Sequence, residues 1–221
     1  MMEKEPITIQ ESGIPEPSVQ PKKGIIREYA EALLLAVVLA LFIRTFIVQA
    51  FKIPSGSMKP TLLIGDHILV NKFIYGVKIP FLDFTIIPIK DPQRGDIVVF
   101  KFPEDPKKDF IKRVIGVSGD VVQIYNKRVY INDKPIEHPY GTYTDPQIIP
   151  GGAQPRDNMA PVKVPPHSLF VMGDNRDHSY DSRFWGFVDL SAVKGKAFII
   201  YWSWNKEESG VRWRRIGDLI R

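Results

Sequence analysis

Two serines in the first third of the chain are candidate nucleophiles. Ser55 and Ser57 lie two positions apart in FKIPSGSMKPTLLIGD, where Pro54, Gly56 and Pro60 favour a bend. A serine hydroxyl is a weak nucleophile until a neighbouring group removes its proton. The chain has four histidines that could supply a base, but neither serine lies in a G-x-S-x-G motif. A Ser–His–Asp site stays open, because its members meet only in the folded chain.

A buried lysine is the second kind of base that the sequence offers. In KKDFIKRVIGVSGD, the alternation of a strand puts Lys112 on the same face as Phe110 and Val114. Burial against such an apolar face disfavours the ammonium form and lowers the pKa of a lysine. The alternative is a lysine whose stem crosses the core while its amine reaches water. Arg113 points to the opposite face, towards solvent or a carboxylate.

The polar segment MGDNRDHSYDSRFWGFV, residues 172–188, could suggest a calcium loop, but its spacing excludes one. Counted from Asp177, the sixth position is Ser182 instead of glycine, and the twelfth is Val188 instead of glutamate. A plain polar turn remains possible. The functional interpretation is a buried polar network, in which Asp181 pairs with Arg183 and a nearby serine hydroxyl bonds to an amine.

An apolar segment precedes the two serines and would determine their position. Residues 32–43 are uninterrupted apolar, and a membrane-spanning helix needs about 20 largely apolar residues. We predict a transmembrane anchor helix at residues 25–50, with Arg44 reaching a membrane interface. A buried helix of a soluble core and a cleaved secretory signal are the alternatives. Residues 1–24 are polar and rich in proline, which predicts a disordered tail.

The remainder of the chain, residues 51–221, predicts a mainly β domain. Short runs rich in valine, isoleucine, phenylalanine and tyrosine alternate with turn residues, which favours folded β-sheets or a barrel. YNKRVYIN predicts a hairpin with Asn126 and Lys127 at the turn. Residues 138–168 are dense in proline and glycine and predict a long irregular excursion.

Composition narrows the function classes. The 221-residue chain has a net charge of +5 and contains no cysteine, which excludes disulfides and thiolate catalysis. No nucleic-acid-binding motif accompanies the charge, so we expect no nucleic-acid partner. We also expect no metal and no cofactor. The C-terminal YWSWNKEESGVRWRRIGDLIR combines tryptophan with arginine, which suits a membrane interface or a tryptophan core with solvated arginines.

Five blocks together resemble the bacterial type I signal peptidases (leader peptidases), which are membrane-anchored Ser–Lys proteases. In chain order they are RTF, PSGSMKPTL, GDHILVNKF, FIKRVIGVSGD and GDNRDHSYDSRFWGFV. The resemblance spans residues 25–221. It departs from the family at His178 and Tyr180, where other members often carry small or amide residues. The short excursion implies a reduced accessory subdomain.

The resemblance implies a role for each matching residue. Ser57 would be the nucleophile, Lys112 its general base, Ser55 an oxyanion-hole hydroxyl and Ser179 the hydroxyl that orients the lysine amine. Two further residues would support the site structurally: Asp181 and Arg183. Seven apolar residues would form shallow substrate pockets, or would belong to ordinary core packing: Phe51, Ile53, Pro54, Met58, Leu62, Phe110 and Ile111.

The resemblance also implies a fold and an activity. The fold would be signal-peptidase-like folded β-sheets or a barrel with an N-terminal transmembrane helix. The activity would be cleavage of N-terminal signal peptides from exported preproteins, after small residues in an Ala-x-Ala pattern. The enzyme would be a single-pass protein of the bacterial cytoplasmic membrane with an extracytoplasmic catalytic domain, and its partners would be preproteins and the lipid bilayer. A soluble Ser–Lys hydrolase and a non-catalytic, membrane-tethered β-barrel binding protein are the competing interpretations.

Overall fold

The computed structural model of the chain describes residues 24–78, 85–87, 89–136 and 140–221. The predicted tail lies outside these residues, except for Gly24. Helix α1 spans Ile25–Phe42 and helix α2 spans Ser182–Trp185. A π-helical turn spans Ile43–Ile47, and short 3-10 turns lie at Phe73–Tyr75, Arg176–His178, Leu190–Ala192 and Trp213–Arg215.

The described strands are, in chain order, β1 (Val48–Lys52), β2 (Asp66–Asn71), β3 (Val77–Lys78), β4 (Thr85–Ile87), β5 (Ile97–Phe102), β6 (Asp105–Gly116), β7 (Val121–Tyr125), β8 (Arg128–Ile131), β9 (Lys134–Pro135), β10 (Met159–Lys163), β11 (Ser168–Met172), β12 (Val188–Asp189), β13 (Val193–Asn205) and β14 (Gly210–Val211). The prediction of a mainly β chain is confirmed.

Helix α1 is shorter than the predicted anchor of residues 25–50. The α-helix ends at Phe42, the π-helical turn follows, and β1 begins at Val48. The last residues of the predicted helix are in a strand because their backbone pairs with β2, where Val48 lies opposite Asn71. Within the part of the chain that the structure describes, no helix has the length and apolar character needed to cross a bilayer.

The main antiparallel sheet has the order β1-β2-β13-β5-β6-β11-β12, and β14 pairs with β13. This order is an open path among the described strands. Folded sheets therefore describe the fold, and a closed barrel does not.

A second sheet has the order β10-β7-β8-β9, and β3 pairs with β4. β7 and β8 form the predicted hairpin, in which Tyr125 pairs with Arg128. Asn126 and Lys127 take φ values of 47° and 68°, as a two-residue hairpin turn requires. The predicted excursion, residues 138–168, contributes β10 to this sheet, and residues 138 and 139 lie outside the described part.

Strand β6 has different surroundings on its two faces. Phe110 and Val114 belong to one hydrophobic cluster, whereas Ile111 and Ile115 pack into two other clusters. Because alternate residues of a strand share a face, Lys112 points to the side of Phe110 and Val114, as predicted. Arg113 points to the opposite side.

The connection between β1 and β2, residues 53–65, carries both candidate nucleophiles, and we call it the serine loop. Its ends are joined by two hydrogen bonds, from Ile53 N to Asp66 O at 2.8 Å and from Gly65 N to Ile53 O at 3.0 Å. A side chain at Gly65 would collide with the backbone, since its Cβ would lie 2.1 Å from the Trp204 carbonyl oxygen. The loop is therefore a closed structure that rests on the main sheet.

The C-terminal segment departs from the alternative of a tryptophan core with solvated arginines. Trp213 is exposed and contacts Trp202 edge to face, so the tryptophans are not all core. Arg215 is not a solvated surface cation, because its Nη2 lies 2.6 Å from the fully buried Asp66 carboxylate and 2.9 Å from Thr61 O. Through these two contacts, Arg215 holds the C-terminal end of the serine loop in place.

Candidate active site

Ser57 and Lys112 are in direct contact. Lys112 Nζ lies 2.6 Å from Ser57 Oγ, across the gap between the serine loop and β6. The lysine is 4% exposed. Its amine therefore ends at a hydroxyl and not in water, which contradicts the alternative of a lysine reaching the solvent. No histidine in the described residues bonds to Ser57 Oγ.

The surroundings of Lys112 favour a neutral amine. Burial lowers the pKa of Lys112 to about 8, against an ordinary value of 10.5. Attraction to the carboxylates of Asp181 and Asp174 raises this pKa, and repulsion from Arg183 lowers it. Because burial outweighs the carboxylates, roughly a tenth of the amine is neutral at pH 7, and about half of it is neutral near pH 8.

The backbone around Ser57 presents a donor that no group in the described chain uses. The Ser57 N–H makes no hydrogen bond with these residues. The carbonyl oxygens on either side are both occupied: Gly56 O accepts from Asn175 Nδ2 at 3.1 Å, and Ser57 O accepts from Asn175 N at 3.1 Å. Ser55, the other candidate oxyanion donor, is exposed on the same loop.

A buried ion pair fixes the loop against β6. Arg113 donates from Nε and Nη2 to the two carboxylate oxygens of Asp174 at 2.8 and 2.7 Å, and both side chains are fully buried. Thr61 Oγ1 donates to the same carboxylate at 2.5 Å. Two parallel bonds hold an arginine in one orientation. The side chain next to Lys112 therefore locks the serine loop to the strand that carries the base.

The predicted pairing of Asp181 with Arg183 is present and buried. Asp181 accepts from Arg183 Nε at 2.8 Å and from the Gly173 N–H at 3.0 Å. The guanidinium also donates to the carbonyl oxygens of Arg156 and Arg176. The pair joins α2 to the chain at residues 173–176, which lies against the serine loop.

Ser179 departs from the predicted arrangement. Its hydroxyl is buried and makes no hydrogen bond with the described residues, so the predicted bond to the Lys112 amine is absent. The amine points to Ser57 Oγ instead. The Ser179 side chain packs beside Gly173, where an added Cβ would lie 2.3 Å from Ser179 Oγ and 2.4 Å from Ser57 O.

The predicted pocket residues fall into two groups. Ile53, Met58 and Leu62 are at most 2% exposed and belong to one core cluster, which agrees with the core-packing alternative. The other four reach the surface at least partly: Phe51, Pro54, Phe110 and Ile111. Of these, Phe51 and Ile111 pack against the same cluster, so they connect the core to the surface.

The family is decided by comparison with known proteins. Residues 26–202 match the family model described as signal peptidase, peptidase S26. The chain belongs to the signal peptidase family. A signal peptidase I of Pseudomonas aeruginosa is 40% identical, over 86% of this chain and 78% of that protein. A signal peptidase I of Pseudomonas fluorescens is 38% identical, over 83% of this chain and 75% of that protein.

Among solved structures, a signal peptidase I from Enterococcus faecalis V583 is similar to this chain. Its sequence identity is 30% and its TM-score is 0.39, over 48% of this chain and 97% of that one. As a member of the signal peptidase family, the chain is an enzyme that cleaves signal peptides.

Sequence reasoning missed three contributors to this signal peptidase site. Asp174, Asn175 and Thr61 all bond across the interface between the serine loop and residues 173–176. Asp174 and Asn175 lie in the quoted GDNRDHS block, so their position beside Ser179 was a usable signal. Thr61 lies in the quoted PSGSMKPTL block, but a threonine in a loop indicates no particular partner.

Proposed function

We propose that the chain is a membrane-bound serine endopeptidase that removes N-terminal signal peptides from exported preproteins with a Ser57–Lys112 dyad. The observation that carries the proposal is the 2.6 Å contact between Lys112 Nζ and Ser57 Oγ in a member of the signal peptidase family. A buried amine with a lowered pKa is the form of lysine that can act as a general base.

The proposed reaction has two stages. The neutral amine of Lys112 accepts the Ser57 proton while Ser57 Oγ attacks the scissile carbonyl carbon. The protonated lysine then donates to the leaving nitrogen, which releases the mature protein and leaves the signal peptide as an ester on Ser57. A water molecule, deprotonated by the same lysine, hydrolyses that ester and regenerates Ser57.

The developing oxyanion requires donors on the side of the carbonyl away from Lys112. The unused Ser57 N–H is one candidate, and the hydroxyl of Ser55 is the other. The loss of a single such donor costs about 3–4 kcal/mol of transition-state stabilisation in serine proteases. Ser55 is exposed in the free protein, so its contribution would begin when substrate covers it.

The substrate is proposed to bind as an added β-strand. β11 pairs with β6 only at Arg113, Val114 and Gly116, so the stretch 110–112 has β5 on one side and no described strand on the other. An extended peptide could pair with this free edge and place every second side chain against the sheet. Small side chains in an Ala-x-Ala pattern are proposed to face the half-buried Phe51 and Ile111.

Membrane attachment is the remaining part of the proposal. Leu33, Leu34 and Leu35 on α1 are 67%, 66% and 69% exposed, an arrangement that is unfavourable in water. We propose that residues 25–50 attach the enzyme to the bacterial cytoplasmic membrane, with the β domain on the extracytoplasmic side. Separation of membranes from soluble protein, with protease protection of residues 51–221, tests the attachment and its orientation.

The dyad is tested with Ser57→Ala and Lys112→Ala. Each variant is incubated with a purified preprotein, and mass spectrometry locates the cut. Cleavage should fall to background in both, while Ser118→Ala and Lys134→Ala, at exposed positions, should behave as the parent enzyme does. Near-parental turnover by either dyad variant would refute the mechanism.

A further inference from the structure

Asn175 is bonded to both carbonyl groups that flank Ser57. Its backbone N–H donates to Ser57 O and its side-chain Nδ2 donates to Gly56 O, each at 3.1 Å. The second bond joins positions 119 apart in the sequence. Gly56 O also accepts from Lys59 N at 3.1 Å, so the Asn175 amide and one backbone turn together orient the peptide unit immediately before the nucleophile.

That peptide unit also carries the unused donor. Gly56 C=O and Ser57 N–H belong to the same planar trans peptide group, so they point in opposite directions. When Asn175 binds the carbonyl oxygen on one side, the Ser57 N–H is directed to the other side. No described residue accepts from that N–H, which leaves it available to a substrate.

We propose that Asn175 is a positioning residue for the oxyanion hole, acting through the Gly56–Ser57 peptide. This inference rests on the proposed Ser57 mechanism. By donating to Gly56 O, Asn175 adds a second hydrogen bond to that of Lys59 N and restricts rotation of the peptide plane. It also polarises the peptide group, because a hydrogen bond to a carbonyl strengthens the N–H of the same amide as a donor.

The surroundings of Asn175 keep its amide in place. Thr142 N donates to Asp174 O at 2.7 Å and Arg176 N donates to Thr142 O at 2.9 Å, so the backbone on both sides of Asn175 is held. Asn175 Oδ1 is buried without a partner in the described residues. A reversed amide would set two oxygen acceptors against each other at Gly56 O, so the donor role of Nδ2 decides the orientation.

The effect of Asn175 on catalysis can be measured separately from the effect of the general base, Lys112. Its side chain is neutral, and the groups that shift the Lys112 pKa are burial, Asp181, Arg183 and Asp174. Loss of the Asn175 amide should therefore weaken oxyanion stabilisation without moving the pKa of the lysine. The backbone bond from Asn175 N to Ser57 O survives any side-chain change, so the serine loop stays attached.

The test compares Asn175→Ala and Asn175→Leu with the parent enzyme on a purified preprotein. Leucine has the same branching as asparagine and is larger, but it cannot donate a hydrogen bond. In both variants kcat should fall about 10- to 100-fold. This reduction is no larger than the reduction expected when a direct oxyanion donor is removed. KM and the midpoint of the pH–rate profile should stay unchanged.

Asn158→Ala is the matched control, since Asn158 is also half-buried and donates from Nδ2 to a backbone carbonyl, Ile149 O.

A second measurement distinguishes a change in the orientation of the oxyanion hole from a general loss of packing around Asn175. A peptide aldehyde that ends in Ala-x-Ala forms a reversible hemiacetal, in which Ser57 Oγ bonds to the aldehyde carbon and the former carbonyl oxygen enters the hole. Its affinity should fall by the same factor as kcat, while the affinity of the matching unreactive peptide amide stays at the parental value.

The possible results separate the two proposals. Parental kcat in both Asn175 variants, or equal weakening of aldehyde and amide, would overturn the role of Asn175. A loss of activity that merely follows a loss of folded protein in both variants would overturn it as well. If Ser57→Ala retains cleavage, the dyad mechanism is refuted. That result does not depend on any Asn175 variant, so the two failures can be distinguished.

Discussion

The amine of Lys112 and the hydroxyl of Ser57 lie 2.6 Å apart although 55 positions separate them in the chain. The lysine is on a long strand of the main sheet, and the serine is on the loop that joins β1 to β2. Arg113, the next residue of that strand, holds the loop through Asp174 and Thr61. The contact is thus maintained by the same strand that supplies the base.

The first prediction concerns the pH dependence of cleavage. Burial lowers the pKa of Lys112 to about 8, and only the neutral amine can accept the Ser57 proton. The rate constant kcat/KM should therefore rise with pH through a midpoint near 8 and fall roughly tenfold for each pH unit below it. Cleavage of a preprotein at fixed ionic strength measures this profile. A profile without any rise between pH 6 and 9 is incompatible with the lysine base.

The second prediction is that Lys112→Met inactivates the enzyme but stabilises its fold at neutral pH. The pKa of Lys112 is about 8 in the folded state and 10.5 ordinarily. Below pH 8 both states bind the proton, so the folded state carries the full cost of the buried charge. Between 8 and 10.5 the unfolded state binds more protons, and stability rises with pH.

Methionine removes this cost, so at pH 7 the variant should be more stable by up to about 3 kcal/mol. The gain should shrink as the pH rises from 8 towards 10.5. Urea unfolding at pH 7 and pH 10 measures both values. The exposed Lys134→Met is the control and should show no such pH-dependent gain. Equal or lower stability of Lys112→Met at pH 7 would show that burial does not penalise the ammonium form.

The third prediction concerns Gly173, which lies against the nucleophile. A Cβ at this position would lie 2.4 Å from Ser57 O and 2.3 Å from Ser179 Oγ. Gly173→Ala must therefore push the Ser57 backbone away from its position, and kcat should fall by about 100-fold. Gly152→Ala is the control, since nothing lies within 4 Å of its Cβ. Unchanged kcat in Gly173→Ala would mean that the loop tolerates displacement.

The fourth prediction concerns the buried ion pair that fastens the serine loop. In Asp174→Asn, Arg113 would remain charged and fully buried without its carboxylate partner. Removal of one member of such a pair costs about 3–5 kcal/mol of folding free energy. Urea unfolding compares this variant with Asp105→Asn, which breaks the exposed pair with Lys108. A loss in Asp174→Asn no larger than in that control would contradict a bracing role for the pair.

Local patterns in the sequence predict much of the fold correctly. Strand alternation predicts the faces of Phe110, Lys112 and Val114 on β6, because side-chain direction along a strand depends only on position. The turn at Asn126 and Lys127 follows from two strand-like runs separated by a pair that includes asparagine, which accepts positive φ. The end of α1 was missed, because the residues from Val48 onward form a strand only through pairing with β2, which lies further along the chain.

The residue types and their order also indicated the family and the candidate dyad. Five sequence motifs in the order found in signal peptidases are specific to that family without any coordinates. Only the tertiary structure decided which groups meet. It buried the Lys112 amine against Ser57, left the Ser179 hydroxyl without the predicted partner, and placed Ile53, Met58 and Leu62 in the core. Burial, and therefore the pKa, is a property of elements packed together from distant parts of the chain, and no local pattern encodes it.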